Sequence, residues 1–90
     1  MTERLIGEKT QGTNEVIAYA VDFSALGTVS SVTSVTITPS ATLTGTESLS
    51  GNIVTSPIVS GLLSGVLYSM LITIVINGNT MSGYLRIRGE

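Results

Sequence analysis

Ile58-Val-Ser-Gly-Leu-Leu-Ser-Gly-Val-Leu-Tyr-Ser-Met-Leu-Ile-Thr-Ile-Val-Ile76 runs for 19 residues without a charge. Its mean hydropathy is about +2, in the range of a membrane-spanning helix. Gly61 and Gly65 also have the small-xxx-small spacing that lets membrane helices approach one another. Extended backbone is nevertheless the better reading. Residues 70–76 are dense in β-branched side chains, which favour a pleated surface. No Lys, Arg or Trp flanks the segment, and Asn77-Gly78-Asn79 follows at once, a signal for a tight hairpin turn. If this segment left for a bilayer, the Ser/Thr-rich strands before it would have almost nothing to pack against.

Working outward, residues 67–76 alternate as one long strand. Tyr68, Met70, Ile72, Ile74 and Ile76 face one way; Leu71, Thr73 and Val75 face the other. Asn77, Gly78 and Asn79 turn the chain, because Asn and Gly tolerate the positive φ of primed turns. Residues 80–88 form the closing strand. It has Met81, Leu85 and Ile87 on one face and Ser82, Tyr84, Arg86 and Arg88 on the other. Just upstream, Leu62, Gly65 and Tyr68 have the spacing L-x-x-G-x-x-Y. In an immunoglobulin-type sandwich a Tyr near the start of the penultimate strand turns its hydroxyl back onto the preceding corner. The competing reading makes Tyr68 a plain core or rim aromatic.

Toward the N-terminus, residues 15–23 read as a strand with Ile17, Tyr19, Val21 and Phe23 on one face. Residues 24–28 are a loop. Residues 29–38 form the next strand, with Val29, Thr33, Val35 and Ile37 placed on a shared face and Pro39-Ser40 ending it. Short strands at 41–44 and 47–50 are broken by Gly45 and Gly51. Another spans 52–59, where Pro57 forces an edge or a bulge. About seven short strands with regular turn signals and no helix predict an all-β, Ig-like antiparallel sandwich over residues 15–90. Residues 1–14 are polar, carry mixed charges and read as a flexible N-terminal arm. The arm is either a loose terminus or a strap onto a neighbouring subunit, and deleting it should leave the domain folded. Residues 1–15 contain Glu3, Arg4, Glu8, Lys9 and Glu15, and no apolar core of a signal peptide.

Composition narrows the chemistry. The 90 residues contain no His, Cys or Trp, which removes Ser/His/Asp, Cys/His and thiolate-zinc sites and any disulfide framework. Six acids and four bases give a net charge of -2, with no basic face for nucleic acid. Paired carboxylates are the one catalytic class left, and Glu15, Asp22 and Glu47 stand apart among no other ionisable groups. There is no phosphate-binding glycine motif and no calcium loop. No catalytic residue, metal ligand, cofactor or small-molecule substrate is expected. Charged residues are only 11% of the chain, about half the usual share, so its surface lacks the charges that hold surfaces apart. Partners on several sides follow, with Arg4, Lys9, Arg86 and Arg88 as candidate inter-subunit contacts. Alternatives are a monomer solubilised by its hydroxyls, and a carbohydrate-binding module, for which Tyr19, Phe23, Tyr68 and Tyr84 are the only aromatics.

The stretch from Lys9 to Phe23, followed by Thr28-Val-Ser-Ser-Val32, resembles the opening of a family of small tailed-bacteriophage proteins, often labelled fibre or virion accessory proteins. Tyr19, Asp22 and Phe23 match its Tyr-x-x-Asp-aromatic strand, with Phe23 where the family tends to have Trp. The Ser60-Gly61 loop, Tyr68, the hairpin and the closing strand also fit. The resemblance implies an Ig-like fold and a structural place on the virion, assembled in the bacterial host cytoplasm. A capsid decoration or cement protein bound to the major capsid protein leads. A neck, tail or fibre-connector protein is the alternative, and a homo-oligomer is expected in either case.

Overall fold

The computed structural model describes residues 4–39 and 41–90. Met1, Thr2 and Glu3 of the expected arm, Ser40 of the expected strand end, and the side chains of Arg4, Leu5 and Ile6 lie outside what is described. The strands are β1 (Arg4–Gln11), β2 (Ala20–Asp22), β3 (Val29–Thr38), β4 (Thr42–Thr44), β5 (Ser48–Ser50), β6 (Ile53–Thr55), β7 (Ile58–Ser60), β8 (Leu67–Ile76) and β9 (Asn79–Gly89). A single 3-10 turn, Ser24–Leu26, is the only helical piece among the described residues. No helix there is long and apolar enough to cross a membrane.

The alternation in residues 67–76 makes β8 the centre of the larger sheet, whose order is β1-β9-β8-β3. Tyr68, Met70, Ile72, Ile74 and Ile76 are all buried, while Leu67 is exposed and Leu71, Thr73 and Val75 are half-buried on the outer face. Burying each of the four aliphatic side chains contributes roughly 1.5–3 kcal/mol. The second layer has the orders β2-β6-β5 and β4-β7, tied together by an antiparallel bridge between Ile17 and Val59. In the chain, β4 and β5 are halves of one extended segment broken near Gly45, where φ is 86°. Likewise β6 and β7 are halves of a segment broken at Ser56-Pro57. Merged in this way, the second layer places the β6–β7 segment between its neighbours, and the larger sheet places β8 between β3 and β9. That is the Ig-type division of strands between two sheets, except that the first strand lies beside the last instead of joining the second layer. The two layers enclose one core that includes Phe23, Val54, Val59, Leu85 and Ile87.

Three sequence expectations need correction. Residues 4–11 of the expected arm are a sheet strand: β1 pairs in parallel with β9, from Arg4 opposite Gly83 to Gln11 opposite Gly89. Glu8, Lys9 and Thr10 are exposed at this sheet edge, which suits their polarity. In β3, the residue that joins Val29, Val35 and Ile37 on the core face is Val32, not Thr33, which is exposed. Two irregularities, between Val29 and Ser31 and between Val32 and Ser34, each shift the register by one. Val29, Val32, Val35 and Ile37 thus lie opposite Ile76, Ile74, Ile72 and Met70. Finally, the strand expected over residues 15–23 pairs as a strand only at β2. Its alternation holds, with Tyr19, Val21 and Phe23 buried, but its partner segment is interrupted where Pro57 has no N–H to give. Ser56 mends the gap: its Oγ accepts from the Tyr19 N–H at 3.0 Å and its own N–H donates to the Tyr19 carbonyl at 2.7 Å.

Candidate functional site

The corner read from Leu62, Gly65 and Tyr68 is built at one end of the β8–β9 ribbon. Leu62 is buried in the core, and Gly65 sits at φ 80°, in the left-handed region where glycine is favoured. The Tyr68 ring is buried, and its hydroxyl accepts a hydrogen bond from the Leu63 N–H at 2.9 Å. The same corner grips Gly89: Gly65 N–H donates to the Gly89 carbonyl and Gly89 N–H to the Val66 carbonyl, each at 2.9 Å. A Cβ at Gly89 would run into the Leu63 carbonyl oxygen, so only glycine fits. At the other end of the ribbon, Asn77 and Gly78 adopt φ 52° and 78° between the paired residues Ile76 and Asn79. Positive φ at both central positions is what a type I′ turn requires.

Gln11, which pattern reading passed over, is the main polar tie between the layers. It is fully buried at the end of β1, and its Nε2 donates to the carbonyls of Glu15 (2.9 Å) and Val59 (2.8 Å). Its Oε1 accepts from the Tyr19 hydroxyl at 2.7 Å. Burial, and then the negative charge of Glu15, hold the Tyr19 phenol above its ordinary value. A lone Gln at the end of a polar stretch carries no periodic signal. Only its distance in sequence from Val59, spanned in the fold, exposes its role.

The three candidate carboxylates do not converge. Glu15 accepts from the Gly12 N–H at 2.6 Å within its own turn. Asp22 accepts from the Ser24 N–H at 2.8 Å, and that bond holds its carboxyl below the usual range. Glu47 is half-buried in the turn before β5. Among the described residues no three acidic or imidazole groups cluster as metal ligands.

Two of the basic residues share one face. Register places Arg86 and Arg88 on the outer face of β9, with Glu8 and Thr10 of β1 on one side and Ser69 and Leu67 of β8 on the other. Together with Lys9 they border a shallow groove of about 380 Å³ at the corner end of the sheet. Arg4 pairs with Gly83, nearer the middle of β9. Exposed apolar side chains lie on more than one side of the molecule: Leu63 and Leu67 near the corner, Val16 and Ile58 on the second layer, and Ile53 on β6. Comparison with family models, curated proteins and solved structures finds no match for this chain.

Proposed function

We propose that this chain is a non-enzymatic structural protein of a tailed-phage virion, a capsid decoration or cement protein that binds neighbouring capsid subunits. The observation that supports the reading is the character of its surface. The larger sheet ends on one side in β3, ten residues of Val, Ser, Thr and Ile without a charge. Natural proteins usually guard such an edge with charges or cover it. Exposed apolar side chains on both layers extend the same character around the molecule. A rigid sandwich with several modest contact surfaces gains affinity by repetition on a lattice, where each bound copy raises the effective concentration of the next contact. The resemblance of residues 9–32 to small virion accessory proteins supports the same assignment.

Quantitative mass spectrometry of purified particles tests it. A copy number comparable to that of the capsid subunits is expected. A count that matches a single tail vertex moves the protein to the neck, tail or fibre connector. Absence from particles, or retention on a glycan array instead, overturns the reading.

A further inference from the structure

The groove on the outer face of β1, β9 and β8 presents Arg86 and Arg88 beside one carboxylate, Glu8; Lys9 borders it but lies opposite the core-facing Ile87. Its wall also carries Thr10 and Leu67, and Leu67 is 51% exposed. Arg86 is half-buried, with its guanidinium carbon 5.9 Å from the centroid of the Tyr84 ring. Its Nε is buried and has no hydrogen-bond partner among the described residues. Arg86 and Arg88 stand two residues apart on one strand face, roughly 7 Å along the strand. Same-side residues of any extended chain have that same spacing. Leu67 lies directly opposite Arg88 and continues the row with an apolar contact.

We infer that this groove binds an extended acidic segment of a neighbouring protein, with carboxylates at alternate positions on Arg86 and Arg88 and an aliphatic side chain against Leu67. The inference rests on the proposed assembly role and names the chemistry of the partner. Arg suits this task because its planar fork accepts a carboxylate in bidentate fashion. A second copy of this chain does not fit. Its acids are Glu3, Glu8, Glu15, Asp22, Glu47 and Glu90, and no two of them are two residues apart.

Fluorescence anisotropy with the full chain tests the inference. The probe is a labelled ten-residue peptide with Glu at alternate positions and Leu or Thr between them. The control is a peptide of the same composition with its Glu residues in one block. Tighter binding of the alternating peptide is expected, with a loss of about tenfold or more in Arg86→Gln and in the exposed Arg88→Gln. Thermal melting confirms that both variants are folded, and Arg88→Gln, whose side chain is exposed, keeps the test valid if Arg86→Gln is not. Equal binding of both peptides, or binding unchanged in Arg88→Gln, overturns the inference. So does self-association in sedimentation that Arg88→Gln abolishes, which would make the groove a contact between copies. Binding by a protein absent from particles would sink the virion assignment and leave the groove standing. Abundance in particles without peptide binding would do the reverse.

Discussion

Polar side chains fix positions in this fold that the apolar pattern leaves loose. The Gln11 amide serves three partners at once, Glu15, Val59 and Tyr19. Truncating Tyr19 to Phe leaves Gln11 Oε1 buried without a donor, a loss of roughly 1–3 kcal/mol at neutral pH. The pH dependence has a defined sign. The folded state holds the Tyr19 proton more tightly than the unfolded chain, because its value lies above the ordinary 10.0. The stability from this group is therefore complete below about pH 10 and lost as pH rises through the folded value. Denaturant titrations at neutral pH and above pH 10 should show a fall in the wild type that is smaller in Tyr19→Phe. Equal falls would mean that Tyr19 is not the linked group. At the corner, Tyr68→Phe removes the acceptor for Leu63 N–H and should lower stability by about 1 kcal/mol. Gly89→Ala should be the harsher change, at roughly 2 kcal/mol or more, since backbone rather than a flexible side chain must move. Melting curves of the two variants rank them, and Gly89→Ala matching the wild type would show that the corner is looser than its contacts imply.

At the scale of elements, the most legible parts of the sequence were those where one rule acts alone. β8 and β9 alternate cleanly and are joined by an Asn-Gly turn, so their bounds, faces and pairing follow from period and turn chemistry. The Leu62–Tyr68 spacing pointed to the corner for the same reason. β3 shows where a single rule fails. Strict alternation puts Thr33 beside Val35, but the two register shifts advance the chain so that Val32 takes the core position. A bulge has no fixed residue signature, and only the partner strand reveals it. The groove is half legible: Arg86 and Arg88 share a face by period alone, whereas Glu8 and Thr10 join them only because β1 lies in parallel beside β9. β3 is an uncharged edge, and beyond Ser34 its pairing with β8 is regular. Thr36→Lys adds a charge to its regular part, where Thr36 lies opposite Leu71. Stability should stay within about 0.5 kcal/mol, while light scattering of concentrated protein should fall. Scattering that stays the same would show that β3 is not the adhesive edge.

For the whole molecule, the fate of the first fourteen residues distinguishes a sandwich that is complete without them from one that needs them. Composition alone describes them as a dispensable arm. In the fold, however, β1 covers the β9 edge along its backbone from Gly83 to Gly89 and delivers Gln11 into the interior. Deleting residues 1–14 removes that ladder and leaves the Tyr19 hydroxyl and the Val59 carbonyl without the partner they share. It also leaves the groove without Glu8, Lys9 and Thr10. Each lost buried bond weakens the fold by roughly 1 kcal/mol or more. For a domain of this size, each kcal/mol moves the melting temperature by about 4–8 °C. The truncated chain should therefore melt more than about 10 °C below the full chain and scatter light through its bared edge. A synthetic peptide of residues 4–14 added in excess should restore part of the loss, because the vacated β9 edge accepts a parallel strand in a single register set by Gln11. A truncated chain that melts with the full one, and ignores the peptide, would return residues 1–14 to the status of an arm and move the strength of the fold entirely into β3, β8 and β9.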